Sequence, residues 1–291
     1  MVATGRKASY QKTVVEVINL DPANPGLVCD NLPEFPLGLE GATGQLFNKE
    51  TPIICGGLFN TDLCDCYALQ NQSWTKISSL NECRRYPAST LVSLEHEEEV
   101  LMITGGNDEP TVFNSVEFFD GTNWEQEQVS VLPRGVWEHC FVKINSTTLF
   151  LIGGSETSGG ASYPVSATHF YDVNENQWIP GPALNVARAG AGCGILNWMN
   201  PQTNQMEKIV VAAGGYGSST TELLYVDKIG DYNWIMGPSL PTENGFPSMV
   251  EFQNSVILIG GLLDPDLSTA ITDLYQLSSP GVNIIKLFLC Q

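Results

Sequence analysis

The stretch EVLMITGGNDEPTVFNSVEFFDGTNWEQ, residues Glu99 to Gln126, decides the fold. Val100 to Thr104 is an apolar run of strand length, ended by Gly105 and Gly106, which can adopt positive φ and leave the strand abruptly. Ser115, Glu117 and Phe119 then alternate with Val116 and Phe118, the period of a pleated strand with two unlike faces. Asp120 to Asn123 is a turn cluster, and Trp124 opens the next strand. The unit is a β-meander.

The same marks return at Gly56-Gly57 with Tyr67 and Trp74, at Gly153-Gly154 with Tyr171 and Trp178, and at Gly214-Gly215 with Tyr225 and Trp234. A fifth copy has Gly260-Gly261 and Tyr275 without a Trp. The first glycines are 49, 48, 61 and 46 residues apart, near the roughly 50-residue period of kelch propeller blades. Gly-Gly, then an acidic-aromatic strand, then Trp resembles the kelch repeat, over almost all of Met1 to Leu277. The resemblance implies an all-β, six-bladed kelch-type β-propeller of four-stranded antiparallel meanders. The expected organisation is a single domain, 1–291, with repeats near 1–36, 37–84, 85–134, 135–185, 186–242 and 243–291.

This pattern predicts that the chain begins part-way through a blade: MVATGR aligns with LMITGG and VVEVINL with SVEFFDG. Met1 to Thr4, Val14 to Leu20 and Leu27 to Leu32 are expected as three strands of that blade. A propeller closes when one terminus completes the blade begun at the other. The apolar tail from Val282 to Leu289 could supply the missing inner strand beside Val2 or the fifth blade's outer strand, but not both; otherwise the last blade is incomplete. Two connections are long, Ser155 to Thr168 and Asn197 to Lys208. In an up-and-down meander the loops after strands two and four share one face, and those after one and three the other.

Of 291 residues 32 are acidic and 13 basic, a net charge of −19. That field disfavours nucleic acid and anionic membrane and favours basic proteins or cations; it also keeps a large β-surface soluble. No stretch reaches the roughly 18 apolar residues of a membrane span. The N-terminal residues hold no apolar segment of signal-peptide length, although a leader could have preceded Met1.

Aromatics repeated at a structural period fill the gaps between sheets, which explains Trp74, Trp124, Trp178 and Trp234 and the once-per-blade Tyr67, Phe119, Tyr171, Tyr225 and Tyr275. Arg85, Arg134 and Arg188 each follow a Trp strand, where kelch repeats often carry Arg. They either form a carboxylate-binding ring or hydrogen-bond loop carbonyls between blades. His96, His139 and His169 make no nucleophile–base or metal-ligand spacing. The copper radical oxidases, which share a kelch-like propeller, need a histidine and tyrosine set that this chain does not match. No metal or cofactor is expected. No BTB or BACK helical region accompanies the repeats, which counts against a ubiquitin-ligase adaptor role.

Cys29, Cys55, Cys64, Cys66 and Cys83 cluster early, while Cys140, Cys193 and Cys290 are isolated. In an antiparallel hairpin Cys55 comes close to Cys66 and Cys64, and either could be its disulfide partner. Secreted kelch-like proteins of invertebrates show a similar Cys-Gly-Gly and Cys-x-aromatic arrangement, which implies an extracellular protein; buried thiols in an intracellular one are the alternative. Asn71-Gln72-Ser73 and Asn145-Ser146-Thr147 are glycosylation sequons in expected turns.

The resemblance implies a non-catalytic protein-binding module using the loops after strands two and four, with Asn107, Asp108, Glu109, Arg134, Trp137, Tyr163, Tyr216, Asp264 and Asp266 as candidates. Its partner is an unidentified protein. An intracellular scaffold, cytoskeletal or adaptor, and a propeller enzyme acting on glycans or carbonyl compounds are the alternatives.

Overall fold

The computed structural model describes residues 2–6, 13–17, 33–36, 39–57, 64–93, 99–126, 130–226, 233–252, 254–263, 274–277 and 285–287. All regular structure in them is β. Five four-stranded antiparallel meanders follow one another, each pairing its strands in chain order. Blade 1 holds Thr43–Phe47, Thr51–Cys55, Cys66–Gln70 and Ser73–Lys76. Blade 2 holds Ala88–Ser93, Glu99–Thr104, Val116–Phe119 and Trp124–Glu125. Blade 3 holds Cys140–Lys143, Thr148–Ile152, Thr168–Asp172 and Gln177–Pro180. Blade 4 holds Gly192–Asn200, Gln205–Ala213, Thr221–Tyr225 and Ile235–Met236. Blade 5 holds Ser248–Phe252, Ser255–Ile259, Leu274–Leu277 and Ile285–Leu287.

Of the six blades expected, one of them completed by the termini or incomplete, the described residues contain these five and an N-terminal two-stranded sheet, Val2–Arg6 with Thr13–Val17. The strand expected over 27–32 lies outside the described residues. Ile285–Leu287 pairs with Leu274–Gln276, so this part of the tail is the outer strand of blade 5. The span 197–208, expected as a loop, is instead paired from Asn197↔Lys208 to Asn200↔Gln205. Its turn is shortened to 201–204 because Asn200 Oδ1 accepts the amides of Gln202 and Thr203. The contacts divide the chain into two compact units, Met1–Trp137 and Glu138–Leu289.

The linkers between blades are held by an arrangement that repeats. In blades 1 to 4 the second glycine of the pair donates its amide to a linker carbonyl: Gly57 to Arg84 at 3.1 Å, Gly106 to Val136 at 2.9 Å, Gly154 to Arg188 at 2.7 Å and Gly215 to Asn244 at 2.9 Å. The approach leaves no room for a side chain; a Cβ on Gly214 would lie 2.3 Å from the Asn244 carbonyl oxygen. The linker side chain then reaches forward into the next blade. Arg84, fully buried, donates to the Gly105 carbonyl at 2.8 Å and pairs with buried Glu117 at 2.7 Å. Arg188 repeats this with the Gly214 carbonyl at 2.8 Å and Glu222 at 3.0 Å. Asn244 substitutes for Arg and still donates to the Gly260 carbonyl at 3.1 Å.

Each carboxylate is saturated. Glu117 also accepts Asn81 N, Asn81 Nδ2 and Glu82 N, and Glu222 accepts Asn185 N, Asn185 Nδ2 and Val186 N. Burial pushes both guanidinium groups down from their ordinary range, and the facing carboxylates oppose that shift. The arginines are therefore inter-blade ties, and the repeat position belongs to Arg84, not Arg85. Arg134 lies two residues before the equivalent position, which Val136 occupies. A carboxylate-binding ring of Arg85, Arg134 and Arg188 does not form, because Arg188 is consumed in the core.

The indoles tie linkers as well. Trp74, Trp124 and Trp234 donate Nε1 to the carbonyls of Pro33, Ser78 and Pro182, each in the linker preceding its own blade. The third-strand aromatics do not share one register. Phe119 and Tyr171 face the fourth residue before the glycine pair, whereas Tyr67 and Tyr275 face the second, the position of Glu117. Tyr225 is out of step with both.

Disulfides join Cys55 to Cys66, Cys64 to Cys83 and Cys140 to Cys193, with Cα separations of 4.1, 4.0 and 5.9 Å. Of the two partners considered for Cys55, the structure selects Cys66, its direct cross-strand neighbour. The third bond links the first strands of blades 3 and 4.

Glu117→Ala strips a buried guanidinium of its counter-charge and should cost about 3–5 kcal/mol in urea unfolding, while the Arg84→Met/Glu117→Leu double variant loses far less. Burial, aided by Asp172, pushes the Tyr171 phenol up to about 12. The unfolded phenol ionises near pH ~10, so stability should fall as pH rises from there through the folded value. Spectrophotometric titration should show a late tyrosine that disappears in Tyr171→Phe.

Candidate binding surface

Six residues after each buried linker leucine, Leu80, Leu132, Leu184 and Leu240, the chain enters the left-handed region, at Tyr86, Glu138, Gly190 and Phe246 with φ of 52, 55, 63 and 55°. These residues begin the next blade, and their amides bond to the preceding copies: Tyr86 to the Gly41 carbonyl at 2.6 Å, Gly190 to Glu138 at 2.9 Å and Phe246 to Gly190 at 2.8 Å. Glycine at one copy makes room for a ring from the next. A Cβ on Gly41 would meet the Tyr86 ring at 2.8 Å, and one on Gly190 the Phe246 ring at 2.9 Å.

Within the second unit this builds a compact group. Tyr216, in the loop after the second strand of blade 4, packs edge-on against Phe246 with ring centroids 4.8 Å apart. Its backbone is fixed by a bond from its amide to the Ala189 carbonyl, and its hydroxyl lies 3.5 Å from Glu138 Oε1. Glu138 is buried, while Tyr216 is 41% exposed. The connection after the second strand of blade 3 forms its own hairpin, Ser155–Ser158 with Ala161–Pro164. Its returning strand is exposed throughout, and Tyr163, opposite Glu156, is 42% exposed.

In the first unit, Trp137 packs against Tyr86 at 5.6 Å between ring centroids, and Tyr86 donates its hydroxyl to Glu40 Oε1 at 3.0 Å. The hairpin of Asn107–Asp108 and Thr111–Val112 follows the second strand of blade 2. Asn107 is buried: it exchanges backbone bonds with Arg85, and its Oδ1 accepts Arg85 Nε at 3.1 Å. Arg85 also pairs with exposed Glu109. Asp108 and Arg134 are exposed.

Of the candidates, Asn107, Asp108, Glu109, Arg134 and Trp137 thus lie in the first unit, Tyr163 and Tyr216 in the second, and Asp264 and Asp266 outside the described residues. His96 lies outside them too. His139 is buried and His169 takes the register of Glu117 in its blade. Sequence reasoning passed over Tyr86, Glu138 and Phe246. Their signal is the fixed six-residue offset from a linker leucine. Among the described residues no group of three or more His, Cys, Asp or Glu could hold a metal ion.

Gly190→Ala should lose more stability than Gly159→Ala. Both glycines have φ near 60°, but a Cβ on Gly159 meets nothing within 4 Å. Equal losses by thermal unfolding would show that the Phe246 ring does not need the space over Gly190.

No protein-family profile matches the chain. It is 23% identical over 244 residues to Beta-scruin of Limulus polyphemus, a match covering 79% of this chain and 25% of that protein. The chain thus spans about a quarter of that relative's length. Among solved structures it is similar to YjhT, with a TM-score of 0.74 at 15% identity, over 97% of this chain and 93% of that one. With the blade topology, the likeness to YjhT makes the fold that of a β-propeller, and in sequence the chain is similar to Beta-scruin.

Proposed function

We propose that the chain is a non-catalytic protein-binding module that engages a basic protein segment through the loops following the second and fourth strands of its blades. The observation that carries the reading is the state of the polar and aromatic groups at that end. The arginines and glutamates best suited to chemistry are consumed in the inter-blade ties. Among the groups that the loops leave accessible are two tyrosine rings, Tyr163 and Tyr216, the latter braced by Phe246 beside the Glu138 carboxylate. A fixed aromatic pair next to a carboxylate suits a lysine or arginine side chain, and the net charge of −19 steers basic partners toward it. In this reading the whole chain works as one kelch domain. No helix among the described residues is long and apolar enough to cross a membrane. The three disulfides support an oxidising, extracellular setting over an intracellular scaffold.

The test is a photo-crosslinking side chain placed at Tyr163 or Tyr216, with Glu175 in the turn at the other end of blade 3 as control. Exposure of the native extract to light should give protein adducts from the first two sites and not the third. Adducts from the control alone would refute the reading, and turnover of a glycan or carbonyl panel that is lost in Tyr216→Ala would replace it with an enzyme.

A further inference from the structure

The sequon at Asn145 occupies the turn between the first and second strands of blade 3, where Asn145 and Ser146 are exposed. Asn145 Oδ1 accepts the Thr147 amide at 2.9 Å and the Thr147 hydroxyl at 3.1 Å. Both bonds use the side-chain oxygen, so neither engages Nδ2, the atom that a sugar would occupy. The hydroxyl-to-amide contact is the local geometry for which an Asn-x-Thr sequence is suited.

A second observation lies beside it. The extended hairpin of blade 4 projects from the same end of the sheets, and Lys208 ties it to the Ile144 carbonyl at 2.7 Å, one residue from Asn145. On the sheet face that carries Lys208, the cross-strand pair Met199 and Met206 is 45% and 48% exposed. Two large apolar side chains at the tip of a hairpin otherwise meet water.

We propose that Asn145 carries an N-linked glycan that covers the Met199–Met206 pair. In the transfer, Asn145 Nδ2 attacks the anomeric carbon of a lipid-diphosphate-linked oligosaccharide. The N–C bond forms, a proton leaves the nitrogen, and the lipid diphosphate departs. The modified turn is at the end of blade 3 opposite the Ser155–Pro164 hairpin, so the glycan leaves Tyr163 clear. The sequon at Asn71 follows the same rule in blade 1. It occupies the two-residue turn between the third and fourth strands, the end opposite Gly56-Gly57. The inference rests on the extracellular reading given above.

The experiment is peptide mapping of the protein from its native source, with and without enzymatic deglycosylation in heavy-oxygen water and without reduction. The expected result is a heavy-oxygen Asn-to-Asp increment at Asn145 together with disulfide-linked Cys140–Cys193 peptides, and several-fold faster peroxide oxidation of Met199 and Met206 after the glycan is removed. An unmodified Asn145 in disulfide-linked protein overturns the glycan while sparing the extracellular reading. Free thiols overturn both. A glycan whose removal leaves methionine oxidation unchanged overturns the shielding.

Discussion

A linker between two sheets has backbone groups that belong to neither ladder, and in this protein they are satisfied by the sheets on either side. The carbonyl of Arg84 is held by the second glycine of blade 1 while its guanidinium is spent on the first glycine and Glu117 of blade 2. Arg188 does the same for blades 3 and 4, and Asn244 for blades 4 and 5. Buried amides and charges must be paired, so in these three linkers one residue ties consecutive blades together. Blade 3 departs from the rule. The linker position before it is Val136, and the register position of Glu117 is His169, so neither member of this ion pair occurs there.

The glycine pairs, the strand count per blade and the structural role of the tryptophans were legible because each depends on local sequence. Gly-Gly marks a backbone that must approach another backbone, and Trp at a repeat interval marks a gap between sheets. Registers were less legible. Tyr67 and Tyr275 look like copies of Phe119, but their strands begin at a different offset, and only the pairing with Ile54 and Leu258 shows it. Arg84 and Arg85 are adjacent in sequence. Which one turns inward depends on the linker's path, and that path is set by the bond to Gly57. Cys140 and Cys193 stand 53 residues apart and meet only because the first strands of consecutive blades lie side by side.

The same division explains the candidate surface. Asn107 was selected as a loop residue after a glycine pair, yet its side chain holds Arg85. Tyr216 and Tyr163 were selected by the same logic and remain accessible. Asn107, directly after its glycine pair, bridges to Arg85 of the linker, whereas Tyr216, directly after its own pair, lays its ring against Phe246, and Tyr163 is carried on a hairpin that extends beyond the pair. Phe246 and Glu138 escaped notice because they serve the backbone first, as left-handed residues that receive the chain into a new blade, and form a surface second.

Hydrogen–deuterium exchange tests the central claim most directly, because the ties are made by backbone amides. The account requires the amides of Gly57, Gly106, Gly154 and Gly215, with those of Asn81, Glu82, Asn185 and Val186, to exchange far more slowly than those of Thr122 and Asn174, which lie in exposed turns and bond to the side chains of Asp120 and Asp172. Linker amides that exchange as fast as the turns would mean that the blades are not held to one another in this way.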